Sequence, residues 1–92
     1  MSNAFNAGAL TWVCDTTGAL TTERVKVKTV RWDGGTSASA GDRAILKSAN
    51  GSAFFSSTAD GADFQDEELV ETWINGITVD TLGHGTLYIT LE

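Results

Sequence analysis

The sequence predicts an all-β fold: a small antiparallel β-sandwich or jelly-roll-like domain of roughly six to seven short strands, with an extended N-terminal arm. Three observations predict it. The chain has 10 glycines and no proline among its 92 residues, so its turns must come from Gly, Asn, Asp and Ser. Thr, Val, Ile and aromatic residues recur in runs that alternate with polar ones, the pattern of half-buried strands. Finally, "ILKSANGSAFF" sets Asn50-Gly51 between two apolar runs, the strongest short-range sign of a hairpin.

Each element follows in order. Residues 1–9, MSNAFNAGA, carry no charge and no period. They read as an arm, with Phe5 expected to anchor on a neighbouring subunit, and residues 10–92 as one domain. From Leu10 to Asp15 the residues alternate, with Leu10, Trp12 and Cys14 on one face. "TTGALTTE" punctuates, and "RVKVKTVRW" begins the longest strand signal. There Val25 and Val27 share one parity while Val30 and Trp32 share the other, which predicts a bulge near Lys28 and Thr29.

"DGGTSASAGD", residues 33–42, reads as a flexible loop. It is no phosphate cradle, because the segment after it is β-like and no G-K-[ST] is present. A hairpin is predicted over 43–59, with a type I′ turn at Asn50-Gly51. Residues 69–74 fit two periods: Leu69, Val70, Trp73 and Ile74 fall at helical spacing, whereas Val70, Thr72 and Ile74 alternate. "GITVDTLGHGTLYITLE" reads as two strands joined through Gly83-His84-Gly85, and the sequence ends within strand pattern, so its last residues are expected to be paired in a sheet.

Composition narrows the function. A chain of this size hides only about 60–65% of the surface its unfolded form exposes, so oligomerisation is an expected source of stability. Cys14 is the single cysteine, which excludes a disulfide framework. A net charge of −6 is the wrong sign for holding phosphate backbones, so nucleic acid is not an expected partner. No apolar run approaches the ~20 residues of a membrane span and no signal-peptide pattern opens the chain, so a soluble protein with no membrane partner is expected.

Nothing announces catalysis or a cofactor. His84, the single histidine, lies between glycines and reads as an exposed turn residue; Cys14 shares a face with Trp12 and reads as a buried, inert thiol. One His and one Cys do not make a zinc site. The acidic run "DGADFQDEE", residues 60–68, fails the EF-hand register: counting from Asp60, the third position is Ala62, the sixth Gln65 and the twelfth Thr72. Two readings remain for it, a calcium site of other design from Asp60, Asp63 and Asp66, and a solvated rim with Phe64 tucked against the domain. The second is favoured.

Three tryptophans, Trp12, Trp32 and Trp73, stand with Tyr88, Phe54 and Phe55 in a small domain. They fill a core or a subunit interface, or they hold a sugar between aromatic faces and carboxylates. Phe5, Leu10, Trp12, Trp32 and Trp73 are the expected interface residues.

From about Arg24 onward the order of features resembles the small β-sandwich virion proteins of tailed bacteriophages, which decorate capsids or attach to tails. The similar parts are "VKTVRWDG", a small-residue loop closed by "GD", "AILKSANGSAFF" and "GITVDTLGHGTLYITL". Gly76, Val79, Leu82, Gly85, Leu87, Ile89 and Leu91 match that group's closing pattern. The resemblance implies an extended 69–74 and a non-enzymatic protein of the virion, assembled in the host cytoplasm. The expected role is a capsid decoration, or cement, protein, a homotrimer bound to the major capsid protein at the capsid surface. The alternative is a carbohydrate- or receptor-binding module of a head or tail fibre.

Overall fold

The computed structural model describes residues 3–92, which form seven strands and no helix. In chain order these are β1 (Ala4–Asn6), β2 (Thr11–Cys14), β3 (Gly18–Asp33), β4 (Arg43–Lys47), β5 (Ala53–Thr58), β6 (Gln65–Leu82) and β7 (Thr86–Leu91). All pairings are antiparallel, in one sheet of order β1-β2-β7-β3-β6-β4-β5. The all-β class and the strand count follow the sequence expectation. The expectation of uniformly short strands does not hold, because β3 runs for 16 residues and β6 for 18.

Those two strands belong to both halves of the fold. Arg24–Asp33 of β3 pairs with Gln65–Asn75 of β6, beside β7 and β2; Gly18–Thr21 pairs with Ile77–Val79, and the end of β6 continues onto β4. The sheet curls between these halves, so one apolar cluster takes Val30, Trp32 and Ile89 from the first and Leu46, Phe55 and Val79 from the second. Ser57 Oγ of the edge strand β5 donates to Asp66 Oδ2 near the start of β6 at 2.7 Å.

Bulges make the curl. Lys28 is an extra residue against β7, where Val27 pairs with Leu91 and Thr29 with Thr90. Opposite it on β6 lie Val70 and Glu71, the latter with φ 48°. The predicted bulge is therefore present, and it lets Val27 and Val30 both face the core. A second irregularity lies nearer the start of β3. Thr21 pairs with Ile77 and Arg24 with Asn75, so Gly76 alone faces Thr22 and Glu23. Gly76 has φ +78°, and a Cβ there would stand 3.0 Å from Ala49 Cβ and from Thr21 O, so both conformation and space demand glycine.

The hairpin of β4 and β5 forms as expected, but its turn is of another type. Gly51 N donates to Ser48 O at 3.0 Å and Ser48 N to Ser52 O at 2.9 Å, and only Gly51 has positive φ. This is a three-residue loop in which a type I turn is closed by a left-handed glycine. One other expectation is corrected. "TTGALTTE" lies largely within β3, its irregular stretches absorbed by bulges. The two strands expected on either side of Gly83-His84-Gly85 are present as β6 and β7, with β3 lying between them in the sheet.

The N-terminal arm, where described, is not a free extension. Ala4–Asn6 pairs with β2 as an edge strand. Asn3 Oδ1 accepts from Asp15 N at 3.0 Å and Thr16 N at 3.2 Å, and Asn3 Nδ2 donates to Thr16 O at 3.0 Å. Residues 1 and 2 of the expected arm lie outside the described residues. The 34–42 loop, expected to be flexible, is pinned to the 59–64 loop: Gly34 N donates to Phe64 O (2.8 Å), Asp63 N to Gly35 O (2.9 Å) and Ala59 N to Asp42 O (2.7 Å).

Candidate interaction surface

The curl divides the aromatic residues between core and surface. Trp32, expected at an interface, is fully buried within its own chain: it lies on the inner face of β3, 5.6 Å from the Phe64 ring, with Nε1 donating to His84 O at 2.9 Å. Trp12 points inward from β2 and is half-buried against the core, with Phe5 of β1 packed on it at 5.2 Å. Phe5 thus rests on its own chain, still 40% exposed. Leu10 is not on the predicted strand. It occupies the turn after β1 with φ 50° and is exposed.

The outer face of β6 carries the two most exposed large apolar side chains among the described residues. Leu69 pairs across from Thr29 and Trp73 from Lys26, and the side chains stand 72% and 55% exposed. β3 beside them carries Arg24, Lys26, Lys28 and Arg31, four of the six basic residues in an otherwise acidic chain. Arg24 lies over the Trp73 ring at 5.2 Å and Arg31 over Tyr88 at 5.1 Å. Lys26 pairs with Glu92 at 3.6 Å and Arg31 with Asp33 at 3.7 Å, both in reach of solvent and so weak in their net effect on stability. The result is a face of two large apolar groups beside a strip of cations. Leu69 was not among the expected interface residues because its acidic neighbours read as rim, although alternation over 69–74 already puts Leu69 and Trp73 on one face, opposite Val70, Thr72 and Ile74.

At one end of the strands a groove of about 220 Å³ is lined by Phe5, Trp12, Thr21, Glu23, Val25 and Leu91. Inward-facing Val25 and Leu91 form apolar lining. The bulge opposite Gly76 brings Thr21 and Glu23 to it, with Glu23 N donating to Thr21 Oγ1 at 3.1 Å. No local sequence signal joins these residues, which come from four strands.

At the other end stand the acidic loops. Asp60 and Asp63 lie in the 59–64 loop and Asp66 on β6, where it accepts from Ser57. Among the described residues, no group of three or more His, Cys, Asp or Glu side chains is placed to hold a metal ion. Phe64 is tucked against Trp32.

His84 and Asp42 meet at this end, a pairing the sequence reading missed. Nδ1 and Oδ2 are 2.5 Å apart, and Asp42 Oδ2 also accepts from Ser39 N at 2.9 Å. The Ser39 amide first, and His84 second, hold the Asp42 carboxyl below the usual carboxylate range. A lowered folded-state pKa stabilises above the unfolded value of about 3.9 and loses that contribution as pH falls through the folded value. The melting temperature of Asp42→Asn is therefore expected below that of the wild type at neutral pH, with the gap closing in acid. A gap that persists unchanged in acid would refute this role.

Cys14 is fully buried on the inner face of β2, and burial pushes its thiol up to about 12, which makes it a poor nucleophile at neutral pH.

Comparisons with protein-family models, with curated proteins and with solved structures give no match for this chain.

Proposed function

We propose that the chain is a non-enzymatic structural protein of a tailed-phage particle, a capsid decoration protein that binds the assembled shell through the outer face of β6 and β3. The observation that carries this reading is the exposure of Leu69 and Trp73, four residues apart on the outer face of β6. Burying one such side chain stabilises by about 1.5–3 kcal/mol, and exposed apolar patches flanked by polar residues mark contacts with other proteins. The neighbouring cations orient the contact more than they strengthen it.

The partner in this reading is the major capsid protein. A ligand that binds only assembled shell stabilises that state by mass action, copy by copy. A homotrimer would present three such faces around a local threefold position.

The test is co-sedimentation with assembled shells of the phage that encodes the chain. Wild-type protein is expected to pellet with them, and Leu69→Glu/Trp73→Glu to lose roughly 100-fold or more in affinity, as expected for two lost apolar contacts and added charge. Both side chains are exposed, so the melting temperature should move little. Equal binding of the double variant, or absence of the chain from purified virions, would overturn the proposal.

A further inference from the structure

We propose that the groove between β1, β2, β7 and the bulged start of β3 is a receptor for one cationic side chain, a lysine or arginine, of a partner polypeptide. This goes beyond the shell-binding reading and stands without it, since groove and outer face share no residue.

The chemistry of the lining selects the occupant. At about 220 Å³ the groove is below the ~300–1,000 Å³ of pockets for drug-sized ligands, and of a size for a single side chain. The Phe5 and Trp12 rings, tilted 53° to each other, and the aliphatic Val25 and Leu91 supply apolar walls for a long alkyl stem. Glu23 is the one charged group among the lining residues and makes no ion pair with a described residue. An uncompensated carboxylate beside two aromatic rings favours a cation, which gains from both. The chain's net charge of −6 favours approach of that cation over a longer range. A sugar fits less well. It needs polar partners around its ring, and of the groove's oxygens the Thr21 hydroxyl already accepts the Glu23 amide.

The bulge gives the receptor its form. Two residues of β3 opposite one of β6 displace Glu23 from the regular pleat, and the Thr21 hydroxyl holds its amide. The backbone of Glu23 is thereby held within a strand, from which its exposed side chain reaches the groove.

The test is NMR titration of the full chain with three probes: the N-acetyl methylamide of lysine, the same compound acetylated on its side-chain amine, and methyl β-glucoside. The readouts are the Trp12 indole N–H and the amides of 21–25. Saturable shifts are expected with the lysine probe alone, weakened by salt, and weakened about tenfold or more in Glu23→Gln, the loss expected on removing a charged partner. The remaining amides report whether that variant keeps its fold, and the salt dependence gives a second measure that needs no variant. No saturable shift, equal binding of the neutral analogue, unchanged affinity in Glu23→Gln, or preference for the glucoside would each overturn the proposal. Shell co-sedimentation is a separate readout, so failure here and failure of the shell-binding reading are distinguishable.

Discussion

Trp32→Ala is expected to remove most of the protein's stability. The indole is fully buried, packs on Phe64 and donates to the His84 carbonyl. Truncating a buried Trp to Ala costs about 3–5 kcal/mol, against a total stability of roughly 5–15 kcal/mol, and small domains lie near the lower end. The change also strands the His84 carbonyl in the turn between β6 and β7. Urea unfolding followed by circular dichroism measures the loss; Trp73→Ala, at an exposed site, is the control and should shift the midpoint by far less. A midpoint for Trp32→Ala within the range of Trp73→Ala would contradict the burial described.

Gly85→Ala is the second large effect, and it separates two reasons for keeping glycine. At φ +85° an L-residue pays the left-handed penalty of about 1–2 kcal/mol. A Cβ at this position would also stand 2.6 Å from Gly34 Cα and 2.7 Å from Gly34 C, with the Asp33 carbonyl oxygen nearer still. Those are backbone atoms at the end of β3, so no side chain can rotate away and the strand itself must shift. Gly51→Ala isolates the first reason: φ is +88° there, and nothing lies within 4 Å of the added carbon. Its cost should be near the conformational penalty alone, and that of Gly85→Ala well above it. Equal melting temperatures for the two variants would show that the β3 end yields freely.

These positions also show what the sequence made legible. The strand class, the Asn50-Gly51 hairpin and the bulge at Lys28 are written in alternation and turn chemistry, which act over a few residues. The length of β3 and β6 is not, because Thr22, Glu23 and Gly76 look like punctuation until the strands are paired and the same residues become a bend. Sheet order is hidden for a related reason: Gly83-His84-Gly85 marks where one strand ends and the next begins, but not that β7 crosses to the far side of β3.

The candidate sites divide the same way. Trp32 stands between Arg31 and Asp33, and Trp73 between Thr72 and Ile74, so local polarity suggests the reverse of their actual burial. Which face each takes depends on the offset at Lys28 and Glu71, a property of two strands together. The groove is harder still, since Phe5 and Leu91 lie near opposite ends of the chain and meet through β2. His84 and Asp42 belong to separate turns that only the finished sheet brings together.

The sharing of β3 and β6 between the two halves of the curl bears on how the molecule comes apart. Neither half owns a complete set of strands, so no cut between the halves leaves a fragment with its own core, and partial opening of one withdraws a pairing strand from the other. Hydrogen exchange should therefore find the amides of Val27–Trp32 and of Ile77–Val79 opening together, at the free energy of global unfolding, while β1 at the edge exchanges earlier. The bulges that shape the surface thus sit within a single cooperative unit.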